Sequence, residues 1–207
     1  RNGFIKLNDD GSPDTVFNKN LGIGFTRNDG SGFNASVYSI MKDHSGNYII
    51  GGIFNQFRDQ SANNIIKLDN LGNIDVDFSN NVFGNGENGF IKNLPGFSVN
   101  ASVLSIIEDQ SSNYIIGGYF DKFKDQSANH IIKLDSSGNI DVDFSDNVFG
   151  GGENGFTRLG GSGLSSIYSI IEDQSGNYII GGIFDKFKGQ SANHIIKLDS
   201  SGNIDVD

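Results

Sequence analysis

One sentence of 33 residues is written three times in this chain. It begins at Val37 (VYSIMKDHSGNYIIGGIFNQFRDQSANNIIKLD), at Val103 (VLSIIEDQSSNYIIGGYFDKFKDQSANHIIKLD) and at Ile167 (IYSIIEDQSGNYIIGGIFDKFKGQSANHIIKLD), so successive copies lie 66 and 64 residues apart. A unit of this size is one supersecondary block, and it must stack on its neighbours to bury an apolar face it cannot bury alone. The repeat therefore implies a single array, although 207 residues would allow two domains. The units run over about 2–62, 63–128 and 129–192, with a partial fourth at 193–207, and Asn2, Asn63, Asn129 and Asn193 head equivalent stretches. The chain opens on Arg1 without a Met, and both ends fall in the same part of the repeat, so it reads as a window cut from a longer protein.

Within a unit, β-branched and aromatic runs alternate with turn residues. In the third copy Ile167 to Glu172 and Tyr178 to Phe184 flank Asp173-Gln-Ser-Gly-Asn177, which predicts a hairpin with Gly and Asn at positive φ. A polar crossing follows, then a short strand at Ile195 to Leu198 and a second turn. The last piece alternates in its complete copies: Ile74, Val76 and Phe78 face one way, Asp75, Asp77 and Ser79 the other, as on a strand. With no helical period anywhere, the expected fold is all-β: tandem four-stranded antiparallel blades forming a β-propeller-like repeat array. Paired glycines inside the second strand (Gly51 and Gly52, Gly117 and Gly118, Gly181 and Gly182) mark close backbone approach and are read as packing devices.

The run IIGGIF, a polar crossing, IIKL, then D-x-x-G-x-x-D and a closing Phe resembles the delta-60 repeat, a β-propeller-like repeat of large surface and secreted proteins. The matching residues are Ile49 to Phe54 with Ile65 to Phe78, Ile115 to Phe120 with Ile131 to Phe144, and Ile179 to Phe184 with Ile195 to Asp205, and Phe4 to Asn18 matches the end of the pattern. The resemblance implies the fold and an extracellular or surface-exposed location, on a cell or a virion. It carries no catalytic residues. The long Gly- and Asn-rich inserts depart from the family pattern.

Charge and composition narrow the partners. The formal net charge of −10, from 25 acidic and 15 basic residues, repels phosphate, so no nucleic-acid partner is expected. No apolar run approaches the roughly 20 residues of a spanning helix, so no membrane span is expected. The chain holds no cysteine and so no disulfide or thiolate chemistry.

Few residues offer chemistry. Asp14, Asp75, Asp141 and Asp205 share one column, and Asp77, Asp143 and Asp207 the column two further on. D-x-D-x-S supplies hard oxygen ligands, which makes Asp75, Asp77, Asp141 and Asp143 the candidate calcium residues. Val16 in the first copy, and the missing glycine and distal Glu of a calcium loop, favour a solvated face with turn-capping carboxylates, and no cofactor is expected. Asp43, Asp109 and Asp173 open the hairpin loops and are read as turn residues. His130 and His194 share a column with Asn64 and Gly3, so no repeated base or metal ligand is present. There is no G-x-S-x-G elbow, and GNGENG and GGGENG lack the Lys-Ser/Thr of a phosphate loop.

The copies diverge most in the inserts, which contain GFTR, GFIK and GFTR. Phe25 with Arg27, Phe90 with Lys92 and Phe156 with Arg158 are thus candidate binding residues, an exposed aromatic beside a cation, on loops where recognition concentrates. The alternative is that the three Phe pack between blades. The second and third copies share 28 of 33 columns, the mark of duplication that lengthens surface proteins. The leading reading is a non-enzymatic surface or secreted scaffold acting in adhesion or as part of an appendage or virion. Its expected partners are further repeats of the same protein or other copies of itself, and a glycan or cell-surface protein. A lectin-like propeller is the alternative, and an enzyme working at a channel mouth stands third.

Overall fold

The computed structural model describes residues 4–28, 34–83, 89–92, 101–149, 155–158 and 165–205. Most of GNGENG and GGGENG, and Asp207, lie outside them. Each repeat builds one three-stranded antiparallel sheet, ordered opening, middle, closing. The first blade is Ser36–Lys42, Tyr48–Ile53 and Ile65–Leu68; the second Ser102–Glu108, Tyr114–Tyr119 and Ile131–Leu134; the third Ser166–Glu172, Tyr178–Ile183 and Ile195–Leu198. A one-residue bulge sits in every opening strand, where the register steps from Val103↔Gly118 to Ser105↔Gly117 and likewise in the other two blades.

The hairpin loops form, but of the Gly and Asn expected at positive φ only the Gly takes it: Gly46 and Gly176 do, Asn47 and Asn177 do not. Asp43 accepts the Asn47 backbone amide at 2.7 Å, and Gly46 takes φ 88°. At the equivalent place the second blade puts Ser112, at φ 61°.

The expected fourth strand is a helix. Val76–Phe83 and Val142–Phe149 are helical, as is the shorter Thr15–Asn20. Asp75 and Asp141 accept the amides of Phe78 and Phe144 at 3.0 Å each, which caps the first turn. Phe78 and Val82, four residues apart, are buried while Val76 is 62% exposed, so the helical period wins over the alternation that suggested a strand. A bridge between Leu68 and Ile74 is all the pairing that remains of that strand.

The insert motifs are also structured. Phe25–Thr26, Phe90–Ile91 and Phe156–Thr157 each pair with the first of two short strands of the polar crossing, which pair with each other, to make a second three-stranded ribbon. Blades stack face to face: the opening strand of the second lies on the opening and middle strands of the first, and the third lies on the second in the same way. Three buried clusters follow the chain; two mix residues of neighbouring blades, as where Ile49 and Ile65 pack with Val103 and Ile106, and the third packs the helix Thr15–Asn20 against the first blade. Among the described residues no helix is long and apolar enough to cross a membrane.

Candidate functional site

The densest set of ionisable groups lies between blades and is repeated. At the second junction Lys133, on a closing strand, places its Nζ 3.1 Å from Asp109 and 3.7 Å from Asp141. It donates to the Tyr178 hydroxyl and to the Ser200 carbonyl, each at 3.1 Å. Tyr178, from the next blade, donates in turn to Asp109 at 2.9 Å. The first junction repeats the set: Lys67 sits 3.7 Å from Asp43 and 3.5 Å from Asp75, and Tyr114 donates to Asp43 at 2.9 Å. Lysine and two aspartates thus come from one blade and the tyrosine from its successor, so each cluster clasps two blades. Sequence reading assigned Asp43 and Asp109 to turns and missed the clasp; the signal was the constant spacing of Asp, Tyr and Lys in every copy.

The electrostatics fix the charge state. Burial pushes the Asp109 carboxyl up, but hydrogen bonds from Asn113, Tyr178 and Lys133 outweigh it and hold the group below the ordinary carboxylate range. Asp43 behaves likewise, burial being outweighed by Asn47 and Tyr114. Burial, and then the neighbouring Asp109, raises the Tyr178 hydroxyl well above the usual phenol range. These groups keep their charge across neutral pH, whereas a general acid or base must titrate near it.

A cavity of about 350 Å³ opens beside the second clasp, lined among others by Asp141, Asp143, Glu172, Ser175 and Ser201. Its wall is rich in hydroxyl and carboxylate oxygen. The candidate calcium residues divide. Asp75 and Asp141 cap helices and face a lysine ammonium, which already supplies the cation a metal would bring. Asp77 and Asp143 sit exposed on the first turns of the helices. Among the described residues no group of three or more His, Asp or Glu is placed to hold a metal ion.

The insert aromatics are not exposed. Phe25, Phe90 and Phe156 are 1%, 4% and 2% exposed, each wedged between two other rings of its unit, such as Phe54 and Phe57 at 4.4 and 4.9 Å from Phe25. Burial of a ring in its own ribbon removes the face a ligand would stack on. Their cations go separate ways: Arg27 is half-buried, Arg158 is exposed, and the side chain of Lys92 is buried, paired with Asp121 and set 4.4 Å over the Tyr119 ring. Beside them His130 is 5% exposed, and burial, with Lys92 adding to it, pushes its pKa down to about 4.

The paired glycines mark two close approaches. A Cβ at Gly52, Gly118 or Gly182 would lie 2.1 Å from the carbonyl oxygen of Ser36, Ser102 or Ser166 in the same blade. One at Gly51 would lie 2.4 Å from Val103 Cγ1, and one at Gly117 2.5 Å from Ile167 Cγ2, both in the next blade. Gly181 meets only the His194 carbonyl, at 4.0 Å.

No curated protein matches the chain at a significant level. Among solved structures, the extracellular domain of the hybrid two-component system BT3049 of B. thetaiotaomicron is 18% identical at a TM-score of 0.35, over 79% of this chain and 15% of that one. PorZ of Porphyromonas gingivalis, a surface component of the type-IX secretion system, is 8% identical at a TM-score of 0.40, over 82% and 20%. The chain thus spans a fifth or less of either neighbour. A family model described as a β-propeller domain of unknown function (DUF5122) matches residues 45–78, 110–144 and 174–207, once in each copy, so the repeated unit is similar to the β-propeller repeat of that family.

Proposed function

We propose that the chain is a non-enzymatic scaffold segment of a secreted or surface-displayed protein, serving adhesion or the build of an extracellular appendage or virion. The likeness of its units to the delta-60 repeat belongs to this reading. The observation that carries it is the repeated clasp: the best-placed ionisable groups of the chain, Lys67, Asp43 and Tyr114 and then Lys133, Asp109 and Tyr178, are engaged with one another across blade junctions. Groups so engaged hold blades together and are not poised for proton transfer. The reading assigns no cofactor, and its partners are blades of the same kind. Turnover assays on glycosides and esters test it: the expected result is no activity above buffer, and saturable turnover lost in Asp141→Asn would sink it.

A carbohydrate-binding role is the second reading, favoured by the oxygen-rich cavity at Asp141, Asp143 and Glu172. Burial of Phe25, Phe90 and Phe156 moves that reading from the inserts to the cavity. A glycan array separates the two, since binding abolished by Glu172→Ala supports the cavity and a blank array supports the scaffold.

A further inference from the structure

The cavity at the junction of the second and third blades offers acceptors, and its one lysine is already engaged. An ammonium has three N–H donors, and those of Lys133 go to Asp109, to the Tyr178 hydroxyl and to the Ser200 carbonyl. What remains for a ligand is oxygen. Asp143 and Glu172 line the same space, with the hydroxyls of Ser111, Ser175 and Ser201 beside them. Among the described residues Glu172 accepts one hydrogen bond, from the Gln110 backbone amide at 3.3 Å. Its carboxylate charge meets no cation there.

The first junction shows what this carboxylate column takes. There Glu108 holds the place of Glu172, and His44 the place of Gln110. Glu108 accepts the His44 backbone amide at 2.6 Å, and the His44 Nδ1 lies 3.2 Å from the same oxygen. With that ring on it, the Glu108 side chain is 7% exposed. At the second junction the Gln110 amide keeps the first bond, but its side chain turns to the Asp173 carbonyl at 3.5 Å. A ring nitrogen of the chain itself thus seats on one carboxylate, and a cavity of about 350 Å³ opens at the other.

We propose that this cavity binds a ligand carrying a protonated amine, and that the ligand is an amino sugar with its amine unacetylated. The ammonium takes at Glu172 the place that the His44 imidazole takes at Glu108, within the field of Asp143. Serine hydroxyls both donate and accept, so Ser111, Ser175 and Ser201 match the hydroxyls of a sugar body. The volume is at the small end of ligand pockets, roughly 300–1,000 Å³, so the ligand is short, one or two rings. Phosphate and acidic sugars are repelled by Asp141, Asp143 and Glu172. Acetylation of the amine removes the charge that these carboxylates attract, and leaves Glu172 desolvated without a cation.

The inference rests on the carbohydrate reading of the cavity, but the two fail separately in one set of titrations. Calorimetry at pH 6 compares the glucosamine disaccharide, its N-acetylated form and ethanolamine. The glucosamine disaccharide is expected to bind at one site per chain, about tenfold or more tighter than the acetylated form, and to weaken with added salt. Equal binding of the two sugars overturns the charge and leaves the carbohydrate reading standing. Ethanolamine binding as tightly as the disaccharide overturns the sugar and leaves the charge, and no binding by any probe overturns both. Two variants exchange residues that this column already carries, so each is expected to fold. Gln110→His seats an imidazole on Glu172 and should abolish binding, whereas His44→Gln clears Glu108 and should raise the stoichiometry from one to two. A Gln110→His chain that binds like wild type overturns the seat at Glu172, and a His44→Gln chain that still takes one ligand overturns the part given to His44.

Discussion

Lys133 and Lys197 occupy the same column of the repeat, yet live in different chemistry. The Lys133 side chain is 8% exposed, paired with Asp109 of its own blade and bonded across a closed junction to a tyrosine and a carbonyl, whereas that of Lys197 is 36% exposed and, among the described residues, bonded only to Asp173 and Asp205 of its own blade. In a stacked array the unit's own sequence sets its strands, but the next unit sets how deeply a residue is buried. The largest test of that difference is Lys133→Met against Lys197→Met. Removing Lys133 strands Asp109 without its cation and is expected to cost about 3–5 kcal/mol, the usual result for one partner of a buried pair. Lys197→Met, at an exposed pair, should leave the urea midpoint nearly unmoved. Equal losses would mean that the junction adds nothing to the pair.

The glycine columns sharpen the same contrast with apolar contacts. A side chain at Gly117 must displace Ile167 and Ile170, so Gly117→Val is expected to destabilise by about 1–3 kcal/mol or more. A Cβ at Gly181 meets nothing closer than 4.0 Å, so Gly181→Val should melt close to the wild type. The sequence alone makes the two glycines equivalent, and it is the covering blade that separates them. If both variants melt early, the glycines answer to strand geometry within the blade rather than to the neighbour.

That contrast explains which features could be read from residues. The hairpins were legible because Asp43-His-Ser-Gly-Asn47 and its copies carry local turn chemistry that needs no partner. The helix at Val76–Phe83 was not, because Ile74, Val76 and Phe78 satisfy a two-residue period in a stretch too short to weigh against it. The cap Asp75 and the spacing of Phe78 and Val82 were the only counter-signals. The clasp was hidden for another reason: Tyr114 and Asp43 are 71 residues apart, and only stacking brings them together. Phe25, Phe90 and Phe156 looked like exposed aromatics because no local pattern reveals that the insert returns to pair with the polar crossing.

A third column differs between blades in its response to acid. Asn64, His130 and His194 are equivalent, with His130 buried and His194 exposed. His130 faces Lys92 and Asp121, and Tyr119 stacks 6.2 Å from it; its pKa falls from 6.5 to about 4 in the folded chain. Between those values the unfolded chain binds a proton that the folded chain refuses, so stability falls with acid. The slope approaches about 1.4 kcal/mol per pH unit at most, for a total on the order of 1–3 kcal/mol. His130→Asn, the residue of the first blade, should flatten the melting temperature across that window while His194→Asn leaves it unchanged. Asp43 and Asp109 act lower down. Their folded carboxyls lie below the ordinary 3.8, so their stabilisation is complete above that value and is lost as pH falls through the folded values, in wild type and His130→Asn alike. A wild-type profile flat from pH 6.5 to 4 would show that His130 is protonated without cost.

The smallest expected effect lies in a single turn. Gly46 and Gly176 take φ 88° and 82° in the first and third hairpin loops, and Ser112 is held at φ 61° in the second. A side chain in the left-handed region costs roughly 1 kcal/mol or more through its Cβ, while glycine adds backbone entropy to the unfolded chain. The two effects oppose, and the steric one is the larger, so Ser112→Gly is expected to stabilise the chain by up to about 1 kcal/mol. The reverse change, Gly176→Ser, should destabilise by a similar amount, since both loops close with the same bonds: Asp109 accepts the Ser111 and Asn113 amides, as Asp173 accepts those of Ser175 and Asn177. Because this loop chemistry is local, the gain should be the same whether or not the neighbouring blade is in place. Measuring Ser112→Gly in the Gly117→Val background checks that independence, and a gain that vanishes there would tie even the turn to the stacking of blades.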